Sequence, residues 1–216
     1  VVLITNRTSF ALPETRLGIY PGLRGTLTLP QLIHSKIPDA ETALAYARYF
    51  ILAGGSVTSS PHMIVQMGCA DVIVPQHRRD DAAMTIARAI IDNGGSVLSR
   101  AQLDSLKMER LSPRLPAAGA REFQIAGELF SQADLIPTLY AQARGHLPLA
   151  YTGEMNVIAG KMARRVAANS PNAVCVSNNL ISKGFEGFRA GVSNDMLAQA
   201  ELEHSLRQVF EHPDAL

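Results

Sequence analysis

The chain has 216 residues, 20 basic and 19 acidic, for a formal net charge of +1; 47% of its residues are hydrophobic and 18% charged. At about 100–200 residues per domain, that is one domain, or one domain with a helical appendage. The composition excludes whole-chain disorder, offers no basic excess or Lys/Arg run for nucleic acid, and has no run of the ~18 apolar residues that a membrane span needs.

In chain order, Val1–Ile4 is an apolar, β-branched run that reads as a buried strand, and Phe10–Leu12 as a second extended piece before Pro13. Pro21, Gly22 and Gly25 mark a turn into a helix over Thr26–His34. Asp39 is placed to cap a helix over Ala40–Leu52, which Gly54-Gly55 ends. Ser60 is placed to cap a short helix from Pro61 to Gly68, and Asp71–Val74 is another strand. From Arg79 helical spacing takes over: Ala82, Ala83, Ile86, Ala87, Ile90 and Ile91 recur at that spacing, and Gly94-Gly95 ends the helix. Ser99–Arg110 reads as a weakly patterned helix and Leu111–Gly119 as a loop. Ala120–Gln132, Leu135–Arg144 (with Pro137 near its start) and Gly153–Ala168 read as helices. Ser170 caps a helix from Pro171 to Lys183, and Gly184, Gly187 and Gly191 read as a loose connection. Ser193 or Asn194 caps a last helix that runs to about Glu211, with Met196, Leu197, Ala200, Leu206, Val209 and Phe210 as its apolar face. The expected organisation is therefore a strand-and-turn region over 1–77 and a helical region over 78–216.

Little in the chain carries chemistry by motif alone. His34, His62, His77, His146, His204 and His212 stand at no metal-ligand spacing, and surface or helix-face roles account for them. Gly153–Lys161 has the wrong spacing for a phosphate loop, and there is no G-x-S-x-G elbow. Cys69 and Cys175 make no disulfide framework and point to a reducing compartment. The opening VVLITNRTS is too short and polar for a signal peptide. The chain begins without Met and ends directly after a helix, so both ends read as cut.

The informative stretch is Phe10–Thr26. Glu14 follows a proline and stands among Phe10, Leu12, Leu17 and Ile19, and a carboxylate in apolar surroundings suits proton transfer. Gly22 and Gly25 leave backbone amides uncovered at a helix entry, where partial positive charge gathers. The plainer reading, a surface glutamate in a proline turn, accounts for the same residues and is the commoner case.

Pro13-Glu14, Gly18, Pro21-Gly22 and Arg24-Gly25-Thr26 together resemble the phrase PE-x-x-x-G-x-x-P-G-x-G-G-T of the crotonase (enoyl-CoA hydratase/isomerase) superfamily. Leu52–Thr58 is similar to that family's G-x-x-(I/V)-(S/T) step, and Met67–Pro75 to its G-L-V/A-D-x-V-V-P strand. Asn169–Ala173 resembles its SP-x-A helix start, and Glu203–Ala215 its last helix. Residues 95–165 match less well and look like a longer helical insertion. The resemblance implies an α/β fold: part of a ββα spiral, followed by helices that assemble a homotrimer or a dimer of trimers. It implies an acyl-CoA thioester substrate, with coenzyme A as part of the substrate and no other cofactor, and an enolate held by two backbone amides. Glu14 matches the family's second catalytic glutamate; the first, and both oxyanion segments, would lie upstream of Val1. Leu12, Pro21, Gly22 and Arg24 fall at substrate-binding positions. Arg24 departs from the family's glycine and either meets a substrate carboxylate or a coenzyme A phosphate, or points to solvent. The expected activity is hydration of a 2-enoyl-CoA. The alternatives are a thioester hydrolase on the same scaffold and a catalytically silent, oligomerising relative.

Overall fold

A central helix organises the molecule. The computed structural model describes residues 1–22, 24–54, 56–58, 60–146 and 151–211, the side chains of 56–58, 118 and 205–211 excepted. Helix α2 (Ala40–Leu52) is entered at Asp39, whose carboxylate accepts the Thr42 amide at 2.8 Å. Ala43, Ala45, Tyr46, Ala47, Tyr49, Phe50, Ile51 and Leu52 are all buried, so this helix is apolar almost all round. It packs on α1 (Gly25–His34), α6 (Ala117–Phe130) and α9 (Pro171–Arg189). Phe130 stands edge-on to Tyr49, with ring centroids 5.2 Å apart.

The strands are few and short. Strand β1 (Leu3–Thr5) pairs in parallel with β4 (Val72–Val74), in the register Leu3–Val72, Ile4–Ile73, Thr5–Val74. Strand β2 (Phe10–Ala11) pairs antiparallel with β3 (Ser56–Thr58). The parallel pair needs a long crossover, and α1, α2 and α3 (Pro61–Gln66) supply it. Side-chain alternation makes this pair a wall between two cores. Ile4 and Ile73 face the main core. Val72 and Val74 face a smaller one, closed by Ala82 and Ile86 of α4 (Arg79–Asp92) and Leu103 of α5 (Arg100–Ser105). The remaining helices are α7 (Leu135–Ala143), α8 (Gly153–Ala167) and α10 (Asn194–Glu211). The chain is thus α/β with helices dominant. Its main core draws on residues from Ile4 to Phe185, across both of the regions expected from the sequence.

Four expectations need correction. Gly184 and Gly187 are not a loose connection: α9 continues through both to Arg189. A Cβ on Gly184 would collide with Leu27 of α1, and one on Gly187 with Leu197 of α10, so these glycines are notches that let helices cross closely. The helix expected over Ser99–Arg110 stops at Ser105. Its start has a capping box between Ser99 and Gln102, while Arg110 folds back to donate to the Leu103 carbonyl and pairs with Asp104 at 2.8 Å. Helix α6 begins at Ala117, inside the expected loop. In α10 the buried residues are Leu197 and Glu201, while Met196 is 65% exposed and Ala200 also faces solvent. Leu206, Val209 and Phe210 have side chains outside the described residues.

Candidate functional site

The candidate site is built around the end of α2. The last carbonyls of a helix have no intrahelical partner and must find one elsewhere. Here the Ile51 carbonyl accepts the Thr15 hydroxyl at 3.0 Å, and the Leu52 carbonyl accepts the Asn169 side-chain amide at 2.8 Å. The same Asn169 nitrogen lies 3.4 Å from Thr15 Oγ1, and the Ser170 amide donates to the Thr15 carbonyl at 3.3 Å. Gly54, at φ +57°, follows α2; a Cβ there would fall 2.9 Å from Thr15 Oγ1 and 3.0 Å from Asn169 Nδ2. Three separate stretches, around residues 15, 52–54 and 169–170, therefore meet at one buried polar node.

Glu14 is carried by this node. It opens a single 3-10 turn, Glu14–Leu17, which Gly18 closes at φ +85°. The residue is half-buried, and its Oε2 is buried with no hydrogen-bond partner among the described residues. Its surroundings differ from the expectation. Leu12 is half-buried against the main core, and Phe10 stands edge-on to Phe50 at 5.0 Å. Leu17 and Ile19, expected to flank the carboxylate, are 71% and 51% exposed. A 3-10 turn puts its residues on three sides, so the turn cannot bury Thr15 and Leu17 on the same face.

The turn leads through Pro21, which is buried, and Gly22, around which the space is open, into α1. That helix has no side-chain cap and no acidic residue in its own first turn; the carboxylates that meet its start, Asp195 and Glu201, come from α10. Its N-cap is Arg24, at φ +67°, the left-handed conformation that favours glycine. The Arg24 guanidinium reaches Asp195 of α10 at 3.1 Å. Beside it the Thr26 hydroxyl donates to Glu201, a carboxylate only 7% exposed. Burial raises the Glu201 carboxyl above its ordinary value, and the Thr26 hydrogen bond and the Arg24 charge pull it back. A cavity of about 230 Å³ between α1, α9 and α10 is lined by Leu27, Lys183, Leu197, Glu201 and His204. A larger cavity of about 690 Å³, lined by Lys36, Asp71 and Arg100, takes in none of the five residues expected at the site.

Thr15, Asn169 and Glu201 were not singled out from the sequence. Thr15 and Asn169 do stand inside the quoted stretches 10–26 and 169–173, so a signal was present there. For Glu201 there was none: it reads as one more charge on an amphipathic helix. Among the described residues no cluster of three His, Cys, Asp or Glu side chains is placed to hold a metal, and no helix is long and apolar enough to cross a membrane.

No family model matches the chain. It is similar to the fatty acid oxidation complex subunit alpha of Pseudomonas savastanoi pv. phaseolicola (strain 1448A / Race 6). The two are 25% identical over 206 residues, 93% of this chain. The chain spans 27% of that protein's length.

Proposed function

We propose that the chain serves fatty acid oxidation as part of an enzyme that hydrates a 2-enoyl-CoA thioester, with Glu14 transferring the proton. One observation carries the reading: the Oε2 of Glu14 is buried and has no hydrogen-bond partner among the described residues. A buried polar atom left unpaired costs about 1–3 kcal/mol, and a substrate or water would satisfy it. The likeness to a fatty acid oxidation subunit and the Pro13–Thr26 phrase support the same reading.

In the proposed step, water oxygen bonds to C3 of the enoyl thioester and loses one proton to a base. The electrons of the C2–C3 double bond move onto the thioester as an enolate. The Glu14 carboxyl then delivers a proton to C2, and the carboxylate regains one from the base. Leu12, Pro21 and Gly22 are proposed to line the substrate, within a crotonase-like spiral. Arg24, engaged by Asp195, is freed for a coenzyme A phosphate only if that exposed pair opens. The proposed assembly is a homotrimer or a dimer of trimers, which would cover exposed apolar side chains such as Met196, Leu202, Met84 and Ile91.

Loss of enoyl-thioester absorbance tests the reading. Glu14→Gln should cut turnover by about 10²–10⁴-fold with the fold intact, the scale of a lost general acid. Unchanged turnover would overturn the assignment. Release of free thiol instead of hydration would select the hydrolase, and a stable trimer with no turnover the silent relative.

A further inference from the structure

We infer that Asn169 is a positioning residue for Glu14, acting through Thr15; this rests on the proton-transfer role proposed above. Glu14 sits on one turn of 3-10 helix, which has little stability of its own. Within the turn the hydrogen bonds are local: Arg16 and Leu17 amides to the Pro13 carbonyl, the Gly18 amide to Thr15, and the Ile19 amide to Glu14. Thr15 carries hydrogen bonds that tie the turn to the rest of the chain. Its side chain is fully buried, its hydroxyl donates to Ile51, its carbonyl accepts from Ser170, and Asn169 approaches the hydroxyl oxygen.

These bonds have a direction. The Thr15 proton is committed to the Ile51 carbonyl, so its oxygen is left as an acceptor facing the Asn169 amide. The Asn169 side chain is 6% exposed and is held in turn by the Leu52 carbonyl. Such a buried chain fixes rotation and translation together, where apolar packing of equal volume would fix the position less sharply. Gly54 keeps the approach clear, because any Cβ there would press on Thr15 Oγ1 and Asn169 Nδ2 together. The side chain adjoining Thr15 is that of Glu14, so a shift in Thr15 is passed directly to the carboxylate. A misplacement of about 1 Å at a reacting group can cost on the order of 100-fold in rate.

The test uses the full chain in four variants: Thr15→Val, Thr15→Ser, Asn169→Leu and Glu14→Gln, the last also assigning the Glu14 carboxyl carbon signal in a ¹³C NMR spectrum. Thr15→Val and Asn169→Leu should move the Glu14 signal in the folded protein. They should also lower kcat roughly 10–100-fold with little change in KM. Thr15→Ser, which keeps the hydroxyl, should bring both back towards the parent. A purely structural role predicts a lower unfolding midpoint with the signal and kcat unmoved; that result, with Glu14→Gln inactive, overturns the inference and leaves the proton-transfer reading standing. Full turnover in Glu14→Gln overturns both. Thr15→Val is nearly isosteric and carries the test if Asn169→Leu does not fold.

Discussion

Arg24 and Asp195, 171 positions apart, form an ion pair of 3.1 Å, and Arg24 makes it from a left-handed backbone at φ +67°. The two contributions oppose each other. Both side chains are substantially exposed, 47% and 91%, and such pairs are worth about 0–1 kcal/mol. The left-handed backbone costs a non-glycine residue about 1–2 kcal/mol. The strain therefore outweighs the pair, which gives a physical reason for the glycine that the resembled family carries here. Arg24→Gly should be at least as stable as the parent and about 1 kcal/mol more stable than Arg24→Ala in urea unfolding. Both variants lose the pair, so their difference reports the backbone alone; an alanine variant equal to the glycine one would contradict the strain.

Glu201 sets a pH dependence at the α1–α10 contact. Burial holds its carboxyl above the ordinary glutamate value of 4.5, against the opposing effects of Thr26 and Arg24. A carboxyl raised on folding binds its proton more tightly in the folded state. Its contribution to stability is present below the unfolded value and is lost as pH rises through the folded one. Glu201→Gln keeps an acceptor for Thr26 and removes the charge. The variant should be more stable than the parent at neutral pH, and the gap should close as pH falls towards 4.5. Thermal unfolding across that range checks it, and a glutamine variant less stable at neutral pH would reverse the sign.

Gly54 is the position least tolerant of a side chain at the candidate site. Gly54→Ala combines a left-handed backbone with a Cβ 2.9 Å from Thr15 Oγ1 and 3.0 Å from Asn169 Nδ2. Both effects have the same sign, and together they should cost about 2–4 kcal/mol. A variant with a parental urea midpoint would show that the node gives way freely.

The two thiols should separate cleanly. Cys69 is buried, and burial pushes its thiol up to about 12, with the charge of Lys36 pulling the other way; Cys175 is exposed. A thiol reagent at mildly alkaline pH should label Cys175 at once and Cys69 only after denaturant is added. Prompt labelling of two thiols in the folded protein would contradict the burial of Cys69.

Much of the local structure was legible from residue order. The Asp39 cap and the apolar density after it predict Ala40–Leu52, and the structure has a helix over those residues. Val1–Ile4 and Asp71–Val74 read as buried strands; β4 lies inside its span, while β1 starts two residues late, at Leu3, and leaves Val1 exposed. The Pro13–Thr26 stretch stands out in the sequence because its prolines and glycines stand at restrictive spacing. Its burial pattern was not legible, because Leu17 and Ile19 are apolar yet project from a turn whose inward side is taken by Thr15.

Residue order shows where most of the helices lie, caps such as Asp39 and Ser170, and the candidate glutamate after its proline, because each depends on residues within a few positions of one another. The fold settles three other matters. It carried α9 through Gly184 and Gly187, since the local helix penalty of about 1 kcal/mol per glycine is offset where two helices can approach only without a Cβ. It buried Glu201 against Thr26, 175 positions away. It also brought Asn169 onto Thr15 and the end of α2, because unpaired helix carbonyls must be satisfied by whatever donor the fold delivers, and no spacing along the chain announces which one that is.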